Sequence, residues 1–111
     1  MAFFDVTIVN KIISIALILL FTSAVAMADN EPKLAQNYPN PAKEKTYVEV
    51  QFSSLEATLA LSNILGEVVS IQVLKHSGTF ILDVTEIPEG VYFYTLEADG
   101  QKLTRRLTVK K

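Results

Sequence analysis

The chain contains no cysteine, no tryptophan and a single histidine. Each absence removes a class of chemistry. Without thiols there are no disulfides, no thiolate metal ligands and no nucleophilic cysteine. The lipid of a bacterial lipoprotein, carried by a cysteine just after the signal, has no attachment point either. A small exported domain built this way must stand on sheet packing alone. The one histidine, His76, is followed by Ser77 and lies seven residues before Asp83, but no Gly-x-Ser-x-Gly elbow accompanies it. A lone imidazole among scattered carboxylates also lacks metal-ligand spacing. His76 therefore reads as an exposed loop residue, and Glu86 and Glu89, on either side of Pro88, as solvated turn carboxylates. No catalytic residue, cofactor, metal or small-molecule substrate is expected. An excess of charge is missing as well: ten basic residues face twelve acidic ones, so no charge-driven role with nucleic acid is implied.

One long apolar run is present, at the N-terminus. Ile12 to Phe21 reads IISIALILLF behind Lys11, and Ala24-Val25-Ala26-Met27-Ala28 follows. This is the h-region and small-residue c-region of a signal peptide. Cleavage after Ala28 is expected, with Ala26 as the alternative, giving a signal at 1–28 and a short linker at 29–33. Ile12 to Ala28 falls short of the roughly 20 residues of a spanning helix, so no stable transmembrane segment is expected after cleavage. Removing 28 of 111 residues leaves 83, room for one small core.

From Thr46 onward the dominant pattern is period-2 alternation. Val48, Val50 and Phe52 point one way, Glu49 and Gln51 the other, as in a half-buried strand. Ala57, Leu59 and Leu61 repeat the pattern, and Asn63-Ile64-Leu65-Gly66 carries Asn and Gly at the first and fourth positions of a type I turn. Val69, Ile71 and Val73 follow, so 57–74 reads as a hairpin. Phe80, Leu82 and Val84 form a further strand. After Pro88-Glu89-Gly90, the segment from Val91 to Ala98 alternates Val91 and Phe93 with Tyr92, Tyr94 and Leu96, as in a central strand covered on both faces. Asp99-Gly100 is a strong hairpin signal. Leu103, Leu107 and Val109 line the inner face of a last strand, with Lys102, Thr104, Arg106 and Thr108 outside.

Six short strands with hairpin turns and no helical period imply an all-β fold, a small antiparallel immunoglobulin-like β-sandwich, with the Tyr38 segment as a seventh strand. Phe52, Phe80 and Phe93 fall on alternating core positions, which favours packing over a sugar-stacking platform for the aromatic residues. The tail Lys102, Arg105, Arg106, Lys110 and Lys111 is basic without an acid. It has two readings: charges that protect a sheet edge from strand pairing, or a docking strip for an acidic protein surface.

Three motifs carry a family resemblance. Leu34 to Pro41 reads LAQNYPNP, a stiff non-helical lead-in because each proline fixes its own φ and extends the residue before it. Ala60 to Val69 reads ALSNILGEVV, and Leu82 to Val109 reads LDVTEIPEGVYFYTLEADGQKLTRRLTV. In content and order they resemble the type A C-terminal sorting domain of the type IX secretion system, over 34–111. The resemblance implies a non-enzymatic domain, recognised by an outer-membrane translocon and removed by a sortase-like peptidase. It implies passage through the periplasm and delivery to the outer-membrane surface or the exterior. It also makes Gly90, Val91, Tyr92 and the basic residues Lys102, Arg105, Arg106, Lys110 and Lys111 candidates for translocon recognition. Two departures stand out. Ala42-Lys43-Glu44-Lys45 replaces the Phe-Asn-Pro stretch frequent in the family, and only Asp29 to Lys33 separates signal from domain, leaving no cargo. The competing function is a small secreted adhesin or ligand-binding module on the same scaffold.

Overall fold

The computed structural model describes residues 31–111, so the expected signal segment at 1–28 lies outside the described residues. Alternation over seven to nine residues sorts apolar from polar side chains only in extended backbone. The strands are β1 (Lys33–Leu34), β2 (Lys45–Gln51), β3 (Ala57–Asn63), β4 (Val68–Leu74), β5 (Gly78–Asp83), β6 (Gly90–Ala98) and β7 (Gln101–Val109). No helix occurs among the described residues. Two antiparallel sheets result, one ordered β1-β2-β5 and the other β4-β3-β6-β7.

Both hairpins form where the turn residues demand them. The Gly66 amide donates to the Asn63 carbonyl at 3.0 Å, and Asn63 Oδ1 accepts from the amides of Leu65 and Glu67, each at 3.0 Å. Asp99 and Gly100 have φ of 54° and 73°. Two successive positive φ values make the two-residue turn whose twist matches the flanking strands. Its aspartate has a second task, because the Asp99 carboxylate accepts from the amides of Ser53 (3.0 Å) and Ser54 (2.7 Å) and so secures the loop between β2 and β3.

The core is shared between the sheets. Val48, Val50 and Leu82 from the first meet Leu59, Leu61, Leu96 and Leu107 from the second, all buried in one cluster with Tyr94. Burying each such side chain contributes up to about 1.5–3 kcal/mol. The six expected strands are β2 to β7. The seventh is Lys33–Leu34 rather than the Tyr38 segment, which makes a single antiparallel bridge to Tyr47. Pro39 and Pro41 have no N–H to extend that ladder.

Two apolar stretches face outward, against expectation. Phe93 is 36% exposed, so the outer face of β6 is uncovered there; Phe52 and Phe80 are only partly buried at the margin of the core. On β4 the core-facing Leu59 and Leu61 stand opposite Gln72 and Ser70, whereas Ile71 and Val73 pair with Ala60 and Thr58 on the outer face. The β3 register shifts by one residue between Leu61 and Ser62, and this bulge turns Ile71 and Val73 outward, since a one-residue slip exchanges the two faces of a strand.

Candidate functional site

The lead-in forms a strap from the first sheet to the free edge of β7. Its Leu34 pairs with Val50 of β2. Further along, Gln36 Nε2 donates to the Arg106 carbonyl at 2.9 Å, and Asn40 Oδ1 accepts from the Thr108 amide at 3.2 Å. Ala42 makes a parallel bridge to Val109, with its amide on the Thr108 carbonyl at 2.7 Å and its carbonyl accepting from the Lys110 amide at 2.9 Å. Ala42 is fully buried, so the departure from the Phe-Asn-Pro pattern fills a place where a small side chain fits.

A buried polar node anchors the strap. Asn37, 2% exposed, donates through Nδ2 to Thr46 Oγ1 at 3.0 Å and to the Pro39 carbonyl at 3.2 Å. Its backbone amide donates to Tyr94 Oη at 2.9 Å, and Tyr94 Oη donates to the Ala35 carbonyl at 2.8 Å. Burial pushes the Tyr94 phenol above its ordinary pKa, against smaller downward effects of the Asn37 amide and Arg105. The phenol thus keeps the proton it needs as a donor. Every buried side-chain nitrogen and oxygen among the described residues has a partner, as close packing of polar groups requires.

The sequence-predicted residues spread along β7, with five of them gathered at one end. At one end Gly90 stands opposite Val109, Val91 opposite Thr108 and Tyr92 opposite Leu107, beside exposed Lys110 and Lys111. Gly90 has φ of 154°, and a Cβ there would meet Tyr92 Cε2 at 3.8 Å, an ordinary contact. Strain rather than space therefore makes this a glycine position. Tyr92 is 7% exposed, and its hydroxyl donates to the Pro88 carbonyl at 2.7 Å, so its ring belongs to the core. Lys111 is also engaged: its Nζ donates to the carbonyls of Val84 (2.7 Å), Lys43 (2.9 Å) and Thr85 (3.1 Å), and its amide to Glu89 Oε1 at 2.7 Å. Lys110 is left pointing to solvent.

Lys102 lies at the other end, about 27 Å from Lys110 at the usual rise of a strand, and pairs with Glu97 at 3.2 Å. Arg106 sits between the two ends, opposite Phe93 on the outer face. Arg105 points to the strap side, where its Nε donates to the Leu34 carbonyl at 2.7 Å. An open cleft of about 700 Å³ runs there between β1, β2 and β7, lined by Lys33, Leu34, Glu49, Lys102, Leu103 and Arg105. The basic residues thus run along β7 and just past its end without forming one cluster.

His76 is exposed, with Nδ1 at 2.9 Å from the Ser77 carbonyl and its ring tilted over Phe80. No group of three potential metal-ligating side chains occurs among the described residues. Sequence reasoning missed Gln36, Asn37 and Asn40 as the residues that fasten the strap. The available signal was three amides spaced through a segment that proline bars from ordinary strand pairing.

No curated protein matches the chain. The family model described as a secretion system C-terminal sorting domain matches residues 36–110. That span starts within the strap and ends just past β7.

Proposed function

The chain belongs to the family of type IX secretion system C-terminal sorting domains, and on that premise we propose that it acts without an active site, as an address read by protein contacts. The observation that carries this reading is convergence. The opening motif and the closing motif, remote in sequence, meet along the β7 edge through Gln36, Asn40 and Ala42. The strap, the start of β6 and the end of β7 then offer one composite surface that exists only in the folded domain.

In this reading a signal at 1–28 takes the chain to the periplasm, and the 34–111 unit, an immunoglobulin-like sandwich, is recognised there by the outer-membrane translocon. A sortase-like peptidase acts at the cell surface. Exposed Gly90, half-buried Val91, Arg106 and Lys110 contact the partner through side chains or backbone. Tyr92, Lys111 and Arg105 hold that surface in shape, and Lys102 contributes at the far end. Three of the eight candidates thus act chiefly by bracing the fold.

The test is transplantation. Residues 31–111, fused behind a signal-bearing periplasmic reporter, should carry it to the surface of a host with type IX machinery, read by protease accessibility on intact cells. A folded fusion that stays periplasmic would overturn the reading. Gly90→Val refines it: strain at φ of 154° costs about 1 kcal/mol or more, and export should fall sharply even where circular dichroism shows the sheets intact. Normal export by that variant removes the Gly90 turn from the recognised surface.

A further inference from the structure

The strap covers only part of the β7 edge. Its bonds to the β7 backbone are made at Arg106, Thr108 and Lys110, every second residue, because alternate residues of a paired strand turn their N–H and C=O away from the partner. The same period puts the backbone groups of Thr104 and Lys102 on that edge, where the strap makes no bond to them among the described residues. Beside them lies the open cleft of about 700 Å³ between β1, β2 and β7. Its charged lining is three bases, Lys33, Lys102 and Arg105, against one acid, Glu49, and Leu103 is half-buried there. Arg105 is exposed but held: Nε donates to the Leu34 carbonyl at 2.7 Å, and its two terminal nitrogens make no hydrogen bond among the described residues.

We propose, resting on the reading of this domain as an address, that the cleft receives an extended acidic peptide of the protein that reads it. The peptide adds a short strand to β7 at Lys102–Thr104, as exposed sheet edges do with extended chains. Two observations select this occupant. The edge alternates N–H and C=O groups, which a peptide backbone answers with its own, whereas the edge carbonyls would repel the phosphates of a nucleic acid. The lining is basic by three charges to one, so it complements carboxylates and disfavours a basic segment. A carboxylate opposite Leu103 is a diagonal neighbour of Arg105 and meets the unused end of a guanidinium shaped for two parallel hydrogen bonds to it. Arg105 keeps its bond to Leu34 meanwhile, so it arrives already oriented. Lys102 is engaged only by its exposed pair with Glu97 at 3.2 Å, a contact weak enough to exchange.

The probe is the capped peptide acetyl-Thr-Glu-Val-Glu-Thr-amide, titrated into the isotope-labelled exported protein and followed by heteronuclear NMR, beside a counterpart with lysine for glutamate. Saturable shifts of the amides from Lys102 to Arg105 are expected with the glutamate peptide and not with the lysine one. Arg105→Gln keeps a donor for the Leu34 carbonyl but not the charge, and should weaken binding by roughly tenfold. Thr104→Pro removes an edge N–H that β6 does not use, and should abolish binding. The same spectra show whether each variant stays folded. The proposal is overturned if the glutamate peptide does not bind saturably, if the lysine peptide binds as well, or if the shifts centre elsewhere. Unchanged affinity in folded Arg105→Gln overturns it too. Transplantation judges the address reading separately: a reporter delivered to the surface by a domain that fails to bind the peptide leaves that reading standing and removes this cleft from it.

Discussion

At the residue scale, the side chains that decide the architecture are polar ones inside it. Asn37 and Tyr94 satisfy each other, Thr46 and the carbonyls of Ala35 and Pro39. A buried hydrogen-bond group that loses its partner costs about 1–3 kcal/mol. Tyr94→Phe keeps the ring volume but leaves the Asn37 amide without its acceptor and the Ala35 carbonyl without this donor. It should lower unfolding stability by about that amount, measured by denaturant titration at unchanged m-value. Asn37→Ala should cost a similar amount, while Gln36→Ala, at the exposed end of the strap, should cost less. Equal effects of the three would contradict the view that burial sets the difference. The sequence signalled these roles only through the spacing of three amides in a proline-rich lead-in, and the burial of Asn37 emerged only when the fold closed over it.

Among the elements, the strap and β7 form the pair that matters. The strap supplies the hydrogen bonds that a fifth strand of the larger sheet would supply, but from side chains at Gln36 and Asn40 and from one backbone bridge at Ala42. Such a cover is discontinuous and should open locally. Asn40→Ala removes the acceptor for the Thr108 amide and should speed hydrogen exchange there, leaving exchange in β3 unchanged. Unchanged protection at Thr108 would show that Asn40 does not guard the edge. The basic residues of β7 were readable as edge protection or as a docking strip, and the geometry divides them between the two. Arg105 and Lys111 are tied to carbonyls of other segments, whereas Arg106 and Lys110 remain available.

At the scale of the whole molecule, pH reports how two loops are held. Hydrogen bonds from the Thr85 hydroxyl and amide hold the Asp83 carboxyl below its ordinary 3.8, with attraction to Lys45 and Lys111 adding to this. The Ser53 amide, with further bonds from Ser54, does the same for Asp99. Because both values are lower in the folded state, the unfolded chain binds more protons in this range. Their stabilisation is complete above the unfolded value near 3.8 and is lost as pH falls through the lower folded values. Midpoint temperature should therefore decline as the solution is acidified below about pH 4, and Asp99→Asn should reduce that dependence. An identical acid profile in the variant would mean that Asp99 does not carry it.

The sequence by itself determined the strands and where they turn. Period-2 alternation places six of them, and Asn63–Gly66 and Asp99-Gly100 close the hairpins, since these signals act between neighbours and need nothing distant. It also determined the family, whose three motifs survive as an ordered pattern along the chain. Only the tertiary structure decided which edges are covered, that the apolar side of β4 looks outward, that Tyr92 belongs to the core and that Lys111 is tied to carbonyls of other segments. Those facts depend on a bulge in the β3–β4 ladder and on pairing between segments far apart in sequence, neither of which side-chain propensity sets.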